Sequence, residues 1–214
     1  MQWFYWLEIR VLLLFSPSTL FQKINELDWY KEMLHHWVKK QRLEPKSRLL
    51  EVGSATGLLS SHLDSLGHHV VGVDISKKMV KKAQKENPNI RFFVRDALEL
   101  KFKTESFDAV LASSLLNVVD DRVAVLKEML HVCKQGGVVS FLVPIKGFNN
   151  RDLECLINTY QLTNFSKEVL RTWHKLATKL SIEEIEEVVA QSGGEILSVE
   201  YYLSEMVIGV TISS

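Results

Sequence analysis

The stretch Leu49-Leu50-Glu51-Val52-Gly53-Ser54-Ala55-Thr56-Gly57-Leu58-Leu59-Ser60 has the residue types best suited to hold a ligand. It begins as a short apolar strand, passes through small residues, and runs into an apolar helix start. Gly53 and Gly57 have no Cβ, so backbone can come close to a bound molecule, and either can take φ > 0. The N–H groups of the helix that follows point back into the loop. Alone, such a turn is equally well a tight strand-to-helix connection. Residues further along decide. Asp74 closes the next apolar strand, where a carboxylate can accept hydrogen bonds from a ribose diol. Its other reading is a cap for the helix beginning near Ser76. Loop and Asp74 together point to ligand binding. Asp96-Ala97 follows the third strand. A carboxylate there can accept from an exocyclic amine while the adjacent N–H donates to a ring nitrogen, although a simple turn cap has the same composition. Ser113-Ser114-Leu115-Leu116-Asn117 follows the fourth strand, over the reacting end of a ligand anchored at the first.

Those residues require a particular scaffold. Arg48 to Val52, His69 to Asp74, Ile90 to Val94, Phe107 to Ala112 and Val138 to Val143 read as strands. Between them lie helices: Leu58 to Leu66 with Gly67 as C-cap, Lys77 to Asn87 with Pro88 beyond, and Asp121 to Lys134 ended by Gly136-Gly137. The strands are apolar runs, not alternating ones, which predicts a parallel sheet covered on both faces. Ligands in such sheets sit beyond the carboxyl ends of the strands. Every loop singled out above falls at such an end. After strand five, Phe148 to Leu180 reads as one or two inserted helices. Ser181 and Glu184 form a capping box for a helix reaching Ser192. Glu195 to Tyr202 and Met206 to Ser213 then form an antiparallel hairpin.

A chain of 214 residues fits one domain with a small addition, and 46% hydrophobic residues suffice for a sizeable core. The 26 basic residues balance the 26 acidic ones, which argues against a general grip on nucleic acid. Cys133 and Cys155 lack metal-site spacing, so a reducing cytoplasm is the expected setting. Met1 to Phe15 is very apolar but too short to span a bilayer, and its flanks are wrong for a signal peptide. It reads as a packing helix or strand at the domain edge. The other reading is a lid or membrane-surface contact through Trp3, Phe4, Tyr5 and Trp6. Ser18 to Leu43 has helical spacing and ends before Pro45.

Taken together, these motifs resemble the class I S-adenosylmethionine-dependent methyltransferases, near the ubiquinone/menaquinone C-methyltransferase branch. The matching runs are Glu51 to Gly57, Val71 to Ser76, Arg95-Asp96-Ala97, Phe107 to Val110 and Leu126 to Gly137. The resemblance implies a Rossmann-like, doubly wound α/β fold. Its seven-stranded sheet is mostly parallel with an antiparallel C-terminal strand. A helical segment (1–44) precedes a methyltransferase domain (45–214), and a helical insertion (148–180) follows strand five. It also implies that S-adenosylmethionine binds at Glu51, Gly53, Ser54, Ala55, Gly57, Asp74, Ile75, Met79, Asp96, Ala97 and Ser113. Within that set Asp74 takes the ribose, Ile75 flanks the adenine, and Ser113 lies near the sulfonium. Ala55 departs from the family, which often has glycine there, and should cost little. The loop after strand four lacks the Pro-Pro-Tyr type sequence of base and glutamine methylation.

The expected activity is methyl transfer to a small molecule. The competing reading is a protein that holds S-adenosylmethionine or a nucleotide without turnover. A nicotinamide dehydrogenase would want G-x-G-x-x-G, which Gly53-Ser54-Ala55-Thr56-Gly57 does not supply. No general base stands out: Ser113 and His174 are weak catalytic candidates, the pair His35-His36 is similar to His174, and His131 reads as structural. No metal is expected. Substrate choice is assigned to the N-terminal helices and the insertion, through Trp29, Tyr30, Asn117 and Trp173. The basic face Lys77-Lys78 with Lys81-Lys82 reads as a solvated surface. Stable membrane insertion is not expected, and oligomeric state is open.

Overall fold

The computed structural model describes residues 2–213, with the side chains of Gln2 and Trp3 outside the described set. Its centre is a seven-stranded sheet in the order β3-β2-β1-β4-β5-β7-β6. The strands are β1 (Arg48–Val52), β2 (His69–Asp74), β3 (Arg91–Val94), β4 (Phe107–Ser113), β5 (Cys133–Pro144), β6 (Glu195–Tyr202) and β7 (Val207–Ser213). β1 to β5 pair in parallel; β7 runs antiparallel to both β5 and β6. This is the expected doubly wound sheet with its closing hairpin.

Strand periodicity divides the core. Leu49, Val70, Ala109 and Leu111 face one cluster, while Leu50, Val71, Val110 and Ala112 face the other. A side-chain period of two makes this split unavoidable in a sheet buried on both sides. The second cluster is closed by α6 (Arg122–Val132) and α9 (Ile182–Ser192). The first is closed by α4 (Leu58–Ser65), α5 (Lys77–Glu86) and the three N-terminal helices: α1 (Gln2–Phe15), α2 (Pro17–Asn25) and α3 (Asp28–Lys40). The insertion after β5 forms α7 (Asn150–Thr159) and α8 (Asn164–Leu176), which join the same cluster.

Local chemistry explains most boundaries. Asn149 and Asp152 form a capping box at α7, and Ser181 and Glu184 form the expected one at α9. Gly193 ends α9 in the left-handed region at φ 86°. One boundary differs from expectation. α6 stops at Val132 rather than reaching Gly136-Gly137, because Cys133 is already extended and pairs with Phe107. The two glycines lie inside β5. A Cβ on Gly137 would fall 2.7 Å from Cys133 Sγ and 2.8 Å from the Asp108 carbonyl oxygen, so the close approach here needs glycine.

The N-terminal helices are part of the main core. Trp37 of α3 is fully buried, and its Nε1–H donates to Ser140 Oγ of β5 at 3.0 Å. The Ser140 hydroxyl in turn meets the Val210 carbonyl at 2.9 Å. α1 packs along α8, with Ile9 buried in the same cluster.

Candidate functional site

The loop between β1 and α4 is held by backbone bonds to the neighbouring strand. The N–H groups of Gly53 and Ser54 both donate to the Val73 carbonyl at 2.9 Å. Gly53, Ala55 and Gly57 have φ of 78°, 45° and 86°. Ala55 therefore carries a Cβ in the left-handed region, where an L side chain costs about 1–2 kcal/mol. Gly53 faces Leu115 from the loop after β4; a Cβ would sit 3.2 Å from its Cδ1.

Asp74 clamps this loop to the next helix. Its Oδ2 accepts the Ala55 N–H at 2.9 Å and its Oδ1 accepts the Ser76 N–H at 2.8 Å. Each oxygen keeps lone-pair capacity for a further donor. The capping reading of Asp74 is thus realised, and it leaves the ligand reading open. Ser76 caps α5 by accepting the Met79 N–H. Ile75, between them, is 70% exposed, an unusual position for a large aliphatic side chain.

Glu51 is buried at the end of β1. Ser60 of α4 donates to its Oε2 through both N–H, at 2.8 Å, and hydroxyl. Burial raises its pKa to about 8 against the pull of the Ser60 bonds, with the charge of Asp74 adding to the rise. Asp96 is exposed beyond β3, where its Oδ1 accepts the Leu98 N–H at 2.9 Å in a local turn. Ala97 beside it is half-buried. Ser113 ends β4. Its Oγ is buried beside the Tyr30 phenol, and Ser54 Oγ is buried with no partner among the described residues. Two buried hydroxyls at the ends of adjacent strands, that of Ser54 without a partner among the described residues, fit a polar ligand at this rim.

Beyond this rim lies an apolar cavity of about 270 Å³. Its walls come from four helices and one loop: Ile9 and Leu13 of α1, Leu20, Phe21 and Ile24 of α2, Trp29 and Tyr30 of α3, and Trp173 with its neighbours on α8. The loop after β4 supplies Ser114, Asn117 and Val118. All four residues assigned to the substrate from sequence line it. Trp29 and Trp173 stack with centroids 6.1 Å apart, and Tyr30 stands edge-on to Trp173 at 6.3 Å. Trp29 Nε1–H donates to Ser166 Oγ at 2.8 Å, fixing α3 to α8. Asn117 Oδ1 is buried without a partner.

Tyr30 joins cavity and rim. It keeps accessible surface because it lines the cavity, yet protein surrounds its phenol. Burial raises its pKa to about 12; nearby Ser113 partly opposes the rise and the Glu51 charge adds to it. The phenol is protonated at neutral pH.

The histidines stand apart. His174 is buried but absent from the cavity wall. Its Nε2–H donates to the Phe148 carbonyl at 3.0 Å and its ring meets Phe148 edge-on, so the insertion uses it for packing. His131 is exposed beside Thr104, His35 stacks on His62 at 3.6 Å, and His36 packs against Tyr202. Among the described residues no group of His, Cys, Asp and Glu has the geometry of a metal site. Sequence reasoning missed the α1 and α2 contributions, Ile9, Leu13, Leu20, Phe21 and Ile24. The helical spacing of Leu20, Ile24 and Leu27 was the available signal. For α1, apolar on nearly every face, no spacing could show which side turns inward.

Comparison with known proteins agrees with this geometry. Residues 50–141 match the family model described as a methyltransferase domain. A demethylmenaquinone methyltransferase from Beutenbergia cavernae is 39% identical over 103 residues, covering 47% of this chain and 43% of the relative. A phosphatidylethanolamine N-methyltransferase from Cereibacter sphaeroides is 40% identical over 98 residues, covering 43% of this chain and 48% of that one. The chain thus spans less than half the length of these relatives. A crystal structure of a SAM-dependent methyltransferase from Aquifex aeolicus superposes with a TM-score of 0.70 at 14% identity, covering 91% of this chain and 97% of that one. At that identity the match speaks for the fold alone.

Proposed function

We propose that this chain, whose residues 50–141 match a methyltransferase domain, is an S-adenosylmethionine-dependent methyltransferase that methylates an uncharged, largely apolar small molecule held in the aromatic cavity. The observation that carries this reading is the junction at Tyr30, where the cavity meets a rim bearing the buried hydroxyls of Ser113, beside the Tyr30 phenol, and Ser54, without a partner among the described residues. The rim residues fit an adenosyl ligand. Gly53, Ser54, Ala55 and Gly57 would hold the methionine end, helped by Glu51. Asp74 would take the ribose, Ile75 and Met79 the faces of the adenine, and Asp96 with Ala97 its edge. Ser113 would lie beside the methyl group.

Bound there, S-adenosylmethionine supplies a methyl group already activated by its sulfonium. The protein's share is alignment and exclusion of water, which suffice for much of the rate in an in-line displacement. Trp29 and Trp173 close the cavity. Tyr30, protonated at neutral pH, donates a hydrogen bond to orient the acceptor and does not remove its proton. Asn117 offers the other polar contact. Among the described residues the cavity lining carries no charged side chain, which favours a neutral acceptor. No general base enters the proposal, since His174 is committed to Phe148. The balanced charge supports a non-nucleic-acid acceptor, and the sequence spacing of Cys133 and Cys155, unlike that of a disulfide framework or metal site, supports a reducing, cytoplasmic setting.

Isothermal titration with S-adenosylmethionine and its demethylated product tests the rim. A labelled-methyl transfer assay against a lipid-soluble metabolite extract tests the cavity. Binding with transfer into the organic phase is expected; absence of binding at millimolar cofactor removes the proposal.

A further inference from the structure

We propose that the outer face of α1, flanked by the lysine face of α5, docks this protein on an anionic lipid bilayer. α1 buries Ile9, yet Phe4, Leu7, Val11 and Leu14 form one stripe of helical spacing on its outside. Phe4, Leu14 and Phe15 are 63%, 77% and 79% exposed. A contiguous apolar helix face of this kind on a protein surface marks an interaction site. Among the described residues no helix is long and apolar enough to cross a membrane, so the contact is one of lying on the surface. Trp3 lies outside the described residues. Trp6 carries the exposed Arg10 guanidinium 4.2 Å from its ring centroid, an aromatic–cation pair suited to the headgroup level.

Charge complementarity selects the partner. Lys82 Nζ donates to the Ser18 carbonyl at 3.0 Å, and Gln22 of α2 bonds Glu86 of α5. These bonds fasten α5 to α2, which follows α1 after the single residue Ser16. Lys77, Lys78, Lys81 and Lys85 are exposed on α5, and none of them forms a salt bridge among the described residues. An apolar stripe bordered by unpaired lysines matches the boundary between acyl chains and anionic headgroups. α1 also lines the cavity from its inner side, through Ile9 and Leu13. On the reading of the cavity given above, an apolar acceptor would pass from the bilayer beneath α1 without crossing water.

The test is flotation of the full chain with vesicles of phosphatidylcholine alone and of phosphatidylcholine mixed with phosphatidylglycerol. The expected result is recovery with the anionic vesicles and loss of that recovery at high salt. Two variants, Phe4→Ser/Leu14→Ser/Phe15→Ser and Lys78→Glu/Lys81→Glu/Lys85→Glu, should each lower the bound fraction roughly tenfold or more. Both alter exposed side chains, and both should keep the thermal midpoint and cofactor affinity of the parent. Three outcomes overturn the proposal: no binding to either vesicle, equal binding of parent and variants, or a dimer in light scattering that the α1 variant dissolves. Flotation needs no cofactor, so its failure leaves the methyl-transfer reading standing, and failure of cofactor binding leaves the docking surface standing.

Discussion

The rim around Asp74 and the cover around Trp173 are built in different ways. The rim is a backbone device. Val73 carbonyl, Asp74 carboxylate and Ser60 hydrogen bonds fix its loop, all within a short length of chain. The cover is a side-chain device, joining α1, α2, α3 and α8 across a large sequence distance through apolar contacts and the Trp29–Ser166 bond. On the proposed function, a backbone cradle that tolerates little change in shape suits a cofactor of fixed structure, and a packed aromatic cover, which changes volume with each substitution, suits the choice of acceptor. Substitutions in the two regions should separate accordingly.

The largest effect is expected at Glu51, where the rim meets the core. Its pKa is about 8 in the folded protein, above the ordinary carboxyl value. Below the unfolded value both states carry the proton, and Glu51 does not alter stability. Between that value and 8 the unfolded chain has lost the proton and the folded one retains it. Stability should therefore fall as pH rises through this window, by up to several kcal/mol. Glu51→Gln keeps an acceptor for Ser60 and removes the titration. Thermal unfolding from pH 5 to 9 should show the variant overtaking the parent at the alkaline end. Parallel curves would mean that Glu51 is charged throughout.

Asp74→Ala should come next. It strips the acceptor from the Ala55 and Ser76 N–H groups, costing about 1–3 kcal/mol, and on the proposed function lowers cofactor affinity by roughly tenfold or more. Asp74→Asn restores one backbone acceptor and should recover stability more than affinity. Equal recovery of both would reduce Asp74 to a loop clamp.

Much of the rim was legible in the sequence because its signals are local. Gly53, Gly57, Asp74 and the capping box at Ser181 each follow from backbone needs a few residues away. The strands were equally plain, since a sheet buried on both faces requires unbroken apolar runs. The ending of α6 was not. Gly136-Gly137 is a fair helix stop by composition, and only pairing of Cys133 with Phe107 reveals that the strand has already begun. The cover was legible in its aromatic residues but not in its depth. Ile9 and Leu13 face the cavity because α1 lies on α8, a tertiary fact without a local signature.

On the cover side, Trp173→Ala removes the ring stacked on Trp29 and opens one wall of the cavity. The expected outcome is an acceptor KM raised roughly tenfold, consistent with loss of an aromatic contact and its buried area, while cofactor affinity stays within about twofold. Titration and initial rates on one preparation check both. A matching loss of cofactor affinity would join rim and cover into one unit and erase the distinction drawn between them.

The smallest effect sharpens the distinction most. Ala55 sits at φ 45° between two glycines that are also left-handed. Glycine at this position would relieve about 1–2 kcal/mol of backbone strain. It would also return part of that gain, about 0.4–1 kcal/mol, as extra freedom of the unfolded chain. Ala55→Gly should therefore stabilise the fold by about 0.5–1 kcal/mol, seen as a small rise in thermal midpoint. Its Cβ is absent from the cavity wall, so acceptor kinetics should not move. Cofactor affinity is the informative quantity. If it falls although the fold is firmer, the strain at Ala55 is holding the loop in its binding shape. If it rises with stability, the rim gains from glycine there, and the alanine is only a tolerated departure.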